Sequence, residues 1–144
     1  MMKTPKLDNN QLNEAELIES PESDYMNEKQ LAFFKNKLIA LYESTDAHIQ
    51  EARKQMSRPI DDASDSNDRA SWGEQANISL RIVEREQKLL PKIKKALERI
   101  PLGTYGYCLE SGEPIGIQRL LIRPTAEYCA EVKSVQEQKE DHYR

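Results

Sequence analysis

Tyr107-Cys108-Leu109-Glu110-Ser111 and Tyr128-Cys129-Ala130-Glu131-Val132 each begin like one half of a metal site. A four-thiolate zinc site takes two C-x-x-C pairs, because each pair brings two sulfurs onto one tetrahedral ion. Here each pair keeps its first cysteine and loses the second, to Ser111 and to Val132. Two thiols do not close a structural site. The sulfurs are left with three outcomes: zinc completed by outside ligands, a redox pair held close by the remnant site, or two buried inert thiols. Val132 favours the last, since an isopropyl group suits a dry core and repels an ion, so zinc is expected to be absent or dispensable.

Carboxylates and cations form two further groups. Asp65-Ser66-Asn67-Asp68-Arg69-Ala70 is cap chemistry, in which Asp and Ser accept orphan N–H groups and complement a helix dipole. It can equally carry an acid at the end of a lever, because capping with one acid leaves the other free. Arg85, Lys88, Lys92, Lys94 and Lys95 precede Arg119, Arg123 and Lys133. A charge run of this kind is usually a solvated face. Convergence argues for more: the base of one helix, the Arg123-Pro124 link and the next helix should meet, making a cationic cleft suited to a polyphosphate or an acidic protein. His48 and His142 lack neighbours at metal-ligand spacing. No nucleophile elbow or glycine-rich phosphate loop is present, so catalysis is not expected.

Two long helices must position these groups. Asn27 and Gln30 read as a capping box opening the first. Leu31, Phe34, Leu38, Leu41, Thr45, His48 and Ala52 then recur at alternating steps of three and four, the seam of a coiled coil. The stripe ends near Arg58-Pro59. The second helix follows the linker, with Trp72, Ala76, Leu80, Val83, Leu90, Ile93, Leu97 and Ile100 inward and Pro101 and Gly103 as its stop. Pro91 inside it should kink it. The expected architecture is all-α: a long antiparallel coiled-coil hairpin over 27–100 with its tip at 59–70. Each arm of roughly 30 residues would be about 45 Å long. A small degenerate zinc-finger head follows at 101–124. A C-terminal helix and tail at 125–144 carry Cys129, Val132 and Val135 on one face. Residues 1–26 read as disordered or partly helical, with a short helix near 13–19.

Composition agrees. Of the 144 residues 38% are hydrophobic and 32% charged, which suits solvated helices better than a thick core. A net charge of −4 argues against bulk nucleic-acid binding. No apolar run of about 18 residues and no secretory start are found, so a cytoplasmic protein is expected.

Several motifs, in order and without a gap from about residue 25 to 135, resemble the DksA family of bacterial transcription regulators. They are Tyr25-Met26-Asn27-Glu28, Asp65 with Asp68-Arg69-Ala70, Arg85-Glu86, Lys88-Leu89, Tyr105-Gly106-Tyr107-Cys108, Gly116-Ile117, Arg119-Leu120, and Arg123-Pro124-Thr125-Ala126 with Cys129. The resemblance implies a monomer that inserts its coiled coil into the secondary channel of RNA polymerase. With ppGpp it would destabilise open promoter complexes, repressing ribosomal RNA promoters and activating some biosynthetic ones. It implies that Asp65, Asp68 and Ala70 act at the polymerase active centre, that Leu89, Lys92, Arg123 and Lys133 contact ppGpp, and that Arg85 and Arg119 help docking. Ser111 and Val132 depart from the family's zinc ligands and imply a zinc-independent member; Pro91 beside Lys92 could displace that lysine. The alternatives are a transcript-cleavage factor of the GreA type in the same channel, whose head carries no cysteine remnants, and a structural coiled-coil adaptor.

Overall fold

The computed structural model describes residues 12–57 and 66–142. Among these, α1 spans Glu14–Glu19, α2 Glu28–Met56, α3 Ser66–Leu102, α4 Ile117–Ile122 and α5 Ala130–His142. Helices dominate the described residues, and the only extended pairing among them is a single bridge between Tyr107 and Pro114.

Helix α2 starts where its cap chemistry dictates. Asn27 Oδ1 accepts the Gln30 N–H at 2.9 Å, and Gln30 Oε1 accepts the Met26 N–H at 2.9 Å. Gln30 is buried, and the reciprocal pair satisfies it. Its partner α3 ends in a Schellman turn. Gly103, at φ +77°, gives its N–H to Ile100 and Thr104 gives its own to Arg99. The helix therefore runs one residue past Pro101, because a proline near the last turn still accepts helical φ. It also passes through Pro91 without a break, so the sequence's strongest helix breaker does not divide the lever.

The two long helices are antiparallel. His48 faces Glu86 at 3.6 Å, and Lys94 lies 5.7 Å above the Tyr42 ring, so residue numbers fall on one arm as they rise on the other. Phe34, Leu38, Thr45, Ile49 and Ala52 are buried on α2, against Ser79, Val83, Ile93 and Ala96 on α3. Two expected seam positions are corrected. His48 is exposed and Ile49 takes its place; Leu80 is 42% exposed and Ser79 is buried instead. A helix at 3.6 residues per turn drifts from a strict seven-residue repeat, so on α2 the stripe steps by four after Thr45 where the pattern expected three. On α3 it steps by three from Ala76 to Ser79 where the pattern expected four.

The main core lies at the base. Leu17, Phe34, Leu38, Ile93, Tyr105, Cys108, Leu120 and Cys129 belong to one cluster there, and Ile49, Ala52 and Val83 make a smaller one along the lever. Phe34 and Tyr105 rings meet at 5.7 Å. The expected helix near 13–19 is α1, capped by Asn13. Its Leu17 is wholly buried, so this stretch is tied into the core despite its polar composition. The expectation for residues 1–11 lies outside the described residues. The last helix begins at Ala130 rather than Thr125, because Pro124 and Thr125 are spent on a turn closed by the Ala126 N–H to the Arg123 carbonyl. Val135, expected on the inner face, is half exposed.

Candidate functional site

Of the cations expected to converge, Lys92, Arg119, Arg123 and Lys133 do so; Arg85 and Lys88 line a separate groove, Lys94 lies over the Tyr42 ring, and Lys95 lines neither. Leu89 and Lys92 of α3, Arg119 of α4, the Arg123–Tyr128 connection and Lys133 of α5 line one cleft of about 250 Å³ at the base of the hairpin. Each is placed by a local device. Leu89 and Lys92 are one turn apart on α3. Arg119 is held by its Nε–H donating to the Tyr128 carbonyl at 3.2 Å. Arg123 terminates α4, its N–H bonded to the Arg119 carbonyl. The Tyr105 hydroxyl donates to the Pro124 carbonyl at 2.8 Å and fixes the turn that follows; burial keeps that hydroxyl protonated far above the usual tyrosine range.

Lys92, Arg123 and Lys133 form no ion pair among the described residues. Unneutralised cations in a concave site attract a multiply charged anion, and Leu89 adds an apolar edge. Arg85 is not part of this cleft. It stands one turn further up α3, 76% exposed and 3.8 Å from Glu86, where it lines a shallower groove with Arg81, Lys88 and Lys92. Sequence reasoning missed Glu127, the acid in the cleft wall, and Arg99 beneath it, 3.8 Å away. Arg99 lies seven residues from Lys92 and so on the same helix face, which is the signal that could have found it.

Of the tip residues, Asp65 lies outside the described residues. Asp68 stands in the opening turn of α3, and Ala70, two residues further on, is exposed.

The remnant metal site is assembled around Ser111. Its N–H points to Cys108 Sγ at 3.4 Å and its Oγ lies 3.8 Å from Cys129 Sγ. Both cysteines are buried. Val132 packs against the core cluster in the fourth place. Two thiols, a hydroxyl and an isopropyl group do not fit a closed tetrahedral zinc site. Among the described residues no three His, Cys, Asp or Glu side chains cluster to hold a metal. Both thiols are buried as expected, and opposing effects act on Cys108. Burial pushes it up, but hydrogen bonds from the Ser111 hydroxyl and N–H, and from the backbones of Cys129 and Glu110, outweigh this and bring it down to about 6.

No helix among the described residues is long and apolar enough to cross a membrane. Residues 30–100 match the family described as "DnaK suppressor protein DksA, N-terminal domain", and residues 103–138 match "Prokaryotic dksA/traR C4-type zinc finger". The chain is 38% identical over 125 residues to the RNA polymerase-binding transcription factor DksA of Caulobacter vibrioides, covering 87% of this chain and 88% of that one. It is 37% identical over 129 residues to the protein of the same name from Escherichia coli K12, covering 85% and 81%. The structure of transcription factor DksA2 from Pseudomonas aeruginosa superposes with a TM-score of 0.76 at 45% identity, over 90% of this chain and all of that one. A helical hairpin, a cationic base and a four-cysteine head reduced to two thiols are thus found in a chain that belongs to the DksA family.

Proposed function

We propose that this protein regulates transcription by binding RNA polymerase directly, without reading promoter DNA. The coiled-coil tip enters the secondary channel, with Asp65, Asp68 and Ala70 acting near the active centre. The base takes up ppGpp between the factor and the polymerase. The observation that carries the reading is the convergence of Leu89, Lys92, Arg123 and Lys133 in one cleft, whose charge suits a guanosine polyphosphate. Arg85 and Arg119, one exposed and one braced, are the docking cations. Two further features support it. A hairpin whose α3 alone spans 37 residues, about 55 Å at 1.5 Å per residue, has the slimness and reach that a channel requires. The relatives are named for binding RNA polymerase.

On this reading the factor works as a cytoplasmic monomer and needs no zinc, since Ser111 and Val132 supply packing and hydrogen bonds where ligands would stand. The test is the lifetime of open complexes on a ribosomal RNA promoter, with purified polymerase and protein treated with a zinc chelator, with and without ppGpp. The protein should shorten the lifetime after chelation, and ppGpp should shorten it further. Asp68→Asn should abolish the effect. No change in lifetime under any condition would overturn the proposal.

A further inference from the structure

The cleft at the base holds one acid among its cations, and that acid has an unusual neighbour. Glu127 Oε1 lies 3.8 Å from Arg99 Nη1, close enough for attraction but beyond hydrogen-bond reach. Arg99 Nε and Nη2 are buried and have no hydrogen-bond partner among the described residues. Nε–H and the adjacent Nη2–H form the side-on edge of a guanidinium, the edge that receives a carboxylate through two parallel bonds. A buried, empty edge of this kind is costly to maintain. The nearest recorded carboxylate is that of Glu127, still 29% exposed in the cleft wall.

We infer that Arg99 and Glu127 form a charge-setting pair beneath the cleft, in which Arg99 draws the Glu127 carboxylate away from an entering polyphosphate and its empty side-on edge is the berth that carboxylate takes. This deepens the reading of the cleft as a polyphosphate site and rests on it. Without Arg99, Glu127 would turn to the cleft's own cations, Lys92, Arg119, Arg123 and Lys133, offset part of their charge and so oppose the ligand. Arg99 is therefore a positioning residue: it acts on the ligand through Glu127.

The experiment titrates ppGpp against open-complex lifetime with polymerase and full-length protein, comparing the parent with Arg99→Gln, Arg99→Lys, Glu127→Gln and the Arg99→Gln/Glu127→Gln double variant. The readout is the half-maximal nucleotide concentration, which an inactive fraction of protein does not move. Glu127→Gln should lower it by about three- to tenfold and Arg99→Gln should raise it by a similar factor, as expected for one unit charge near the ligand. The double variant should return to within about twofold of the parent, because the two charges cancel each other's loss. Arg99→Lys, which keeps the charge but not the fork, should fall between the parent and Arg99→Gln. One shared half-maximal concentration across all five proteins would overturn the inference, as would a double variant as weak as Arg99→Gln alone. A parent that ignores the nucleotide would overturn the reading of the cleft and this inference together, so the parent titration separates the two failures.

Discussion

The backbone N–H of Ser111 points at Cys108 Sγ across 3.4 Å, and the Ser111 hydroxyl reaches toward Cys129 Sγ at 3.8 Å. In a zinc knuckle such N–H groups stabilise thiolates for the metal. Here the knuckle turn is kept, with the Gly112 N–H bonded to the Cys108 carbonyl at 2.9 Å, but its donors act on a thiol that has no third sulfur beside it. The turn is held by hydrogen bonds and by Val132 packed on the core rather than by four ligands.

A pH dependence of stability follows. Cys108 titrates near 6 in the folded protein against an ordinary value of 9.0. Above the ordinary value both states carry thiolate and the contribution is fully present. As the pH falls through that window the unfolded chain takes up its proton first, so stability declines until the folded thiol is protonated near 6. Urea midpoints should therefore drop across this range in the parent, and Cys108→Ser should flatten that part of the profile. Identical slopes in the two proteins would refute the assignment.

The Tyr25 hydroxyl bridges two segments of the head. It donates to the Gly106 carbonyl and accepts the Gly116 N–H at 2.9 Å, tying the residues before α2 to both sides of the head. Tyr25→Phe keeps the ring, including its edge contact with Tyr107, and strands the Gly116 N–H, while the Gly106 carbonyl keeps its bond from the Ile115 N–H at 2.8 Å. It should cost about 1–3 kcal/mol by chemical denaturation, the usual penalty for an unpaired buried partner. A loss below about 0.5 kcal/mol would mean that water replaces the hydroxyl fully.

Much of this architecture was legible in the sequence, because long helices write themselves in a repeating pattern. Phe34, Leu38 and Ile93 could be placed from spacing alone, and the capping box at Asn27 and Gln30 fixed the start of α2. The register was less secure: at Ile49 and Ser79 the choice between steps of three and four depends on helix geometry that residue type does not encode. The convergence of Lys92, Arg123 and Lys133 was legible from the expected meeting of the helix base, the Arg123-Pro124 link and the last helix, but Arg99 and Glu127 were not. Their relationship exists only after α3 and the 123–128 turn have packed, and neither residue type announces a tertiary partner. Leu17 was hidden for the same reason, since a single leucine in a polar stretch reads as unanchored until its pocket is known.

Pro91 makes a prediction because α3 does not break there. The residue is exposed, lacks an N–H for the Gln87 carbonyl and crowds that carbonyl. Pro91→Ala should restore one helical hydrogen bond without touching the core. A stabilisation of about 1–3 kcal/mol is expected, the upper end being the full difference in helix propensity. Thermal unfolding followed by circular dichroism measures it, and a destabilised variant would show that the proline ring makes a packing contact worth more than the bond it removes.

Gly106 and Met26 are coupled by geometry. Gly106 has φ +87°, and a Cβ added there would lie 2.8 Å from both Met26 Cγ and Sδ. Met26 is itself left-handed at φ +54° and buried at 9% exposure, so its backbone has little freedom to retreat. Gly106→Ala therefore meets two obstacles: a conformation costing about 1–2 kcal/mol for an L side chain, and a clash that only the methionine can relieve. Met26→Ala removes the clashing atoms but leaves the φ strain, and by itself should cost about 2–5 kcal/mol through lost core packing. The double variant should thus be less destabilised than the sum of the singles by roughly 0.5–3 kcal/mol, as residues in contact are. Equilibrium unfolding of the four proteins closes this cycle. Strict additivity would mean that the methionine moves aside freely, and that φ strain alone keeps residue 106 a glycine.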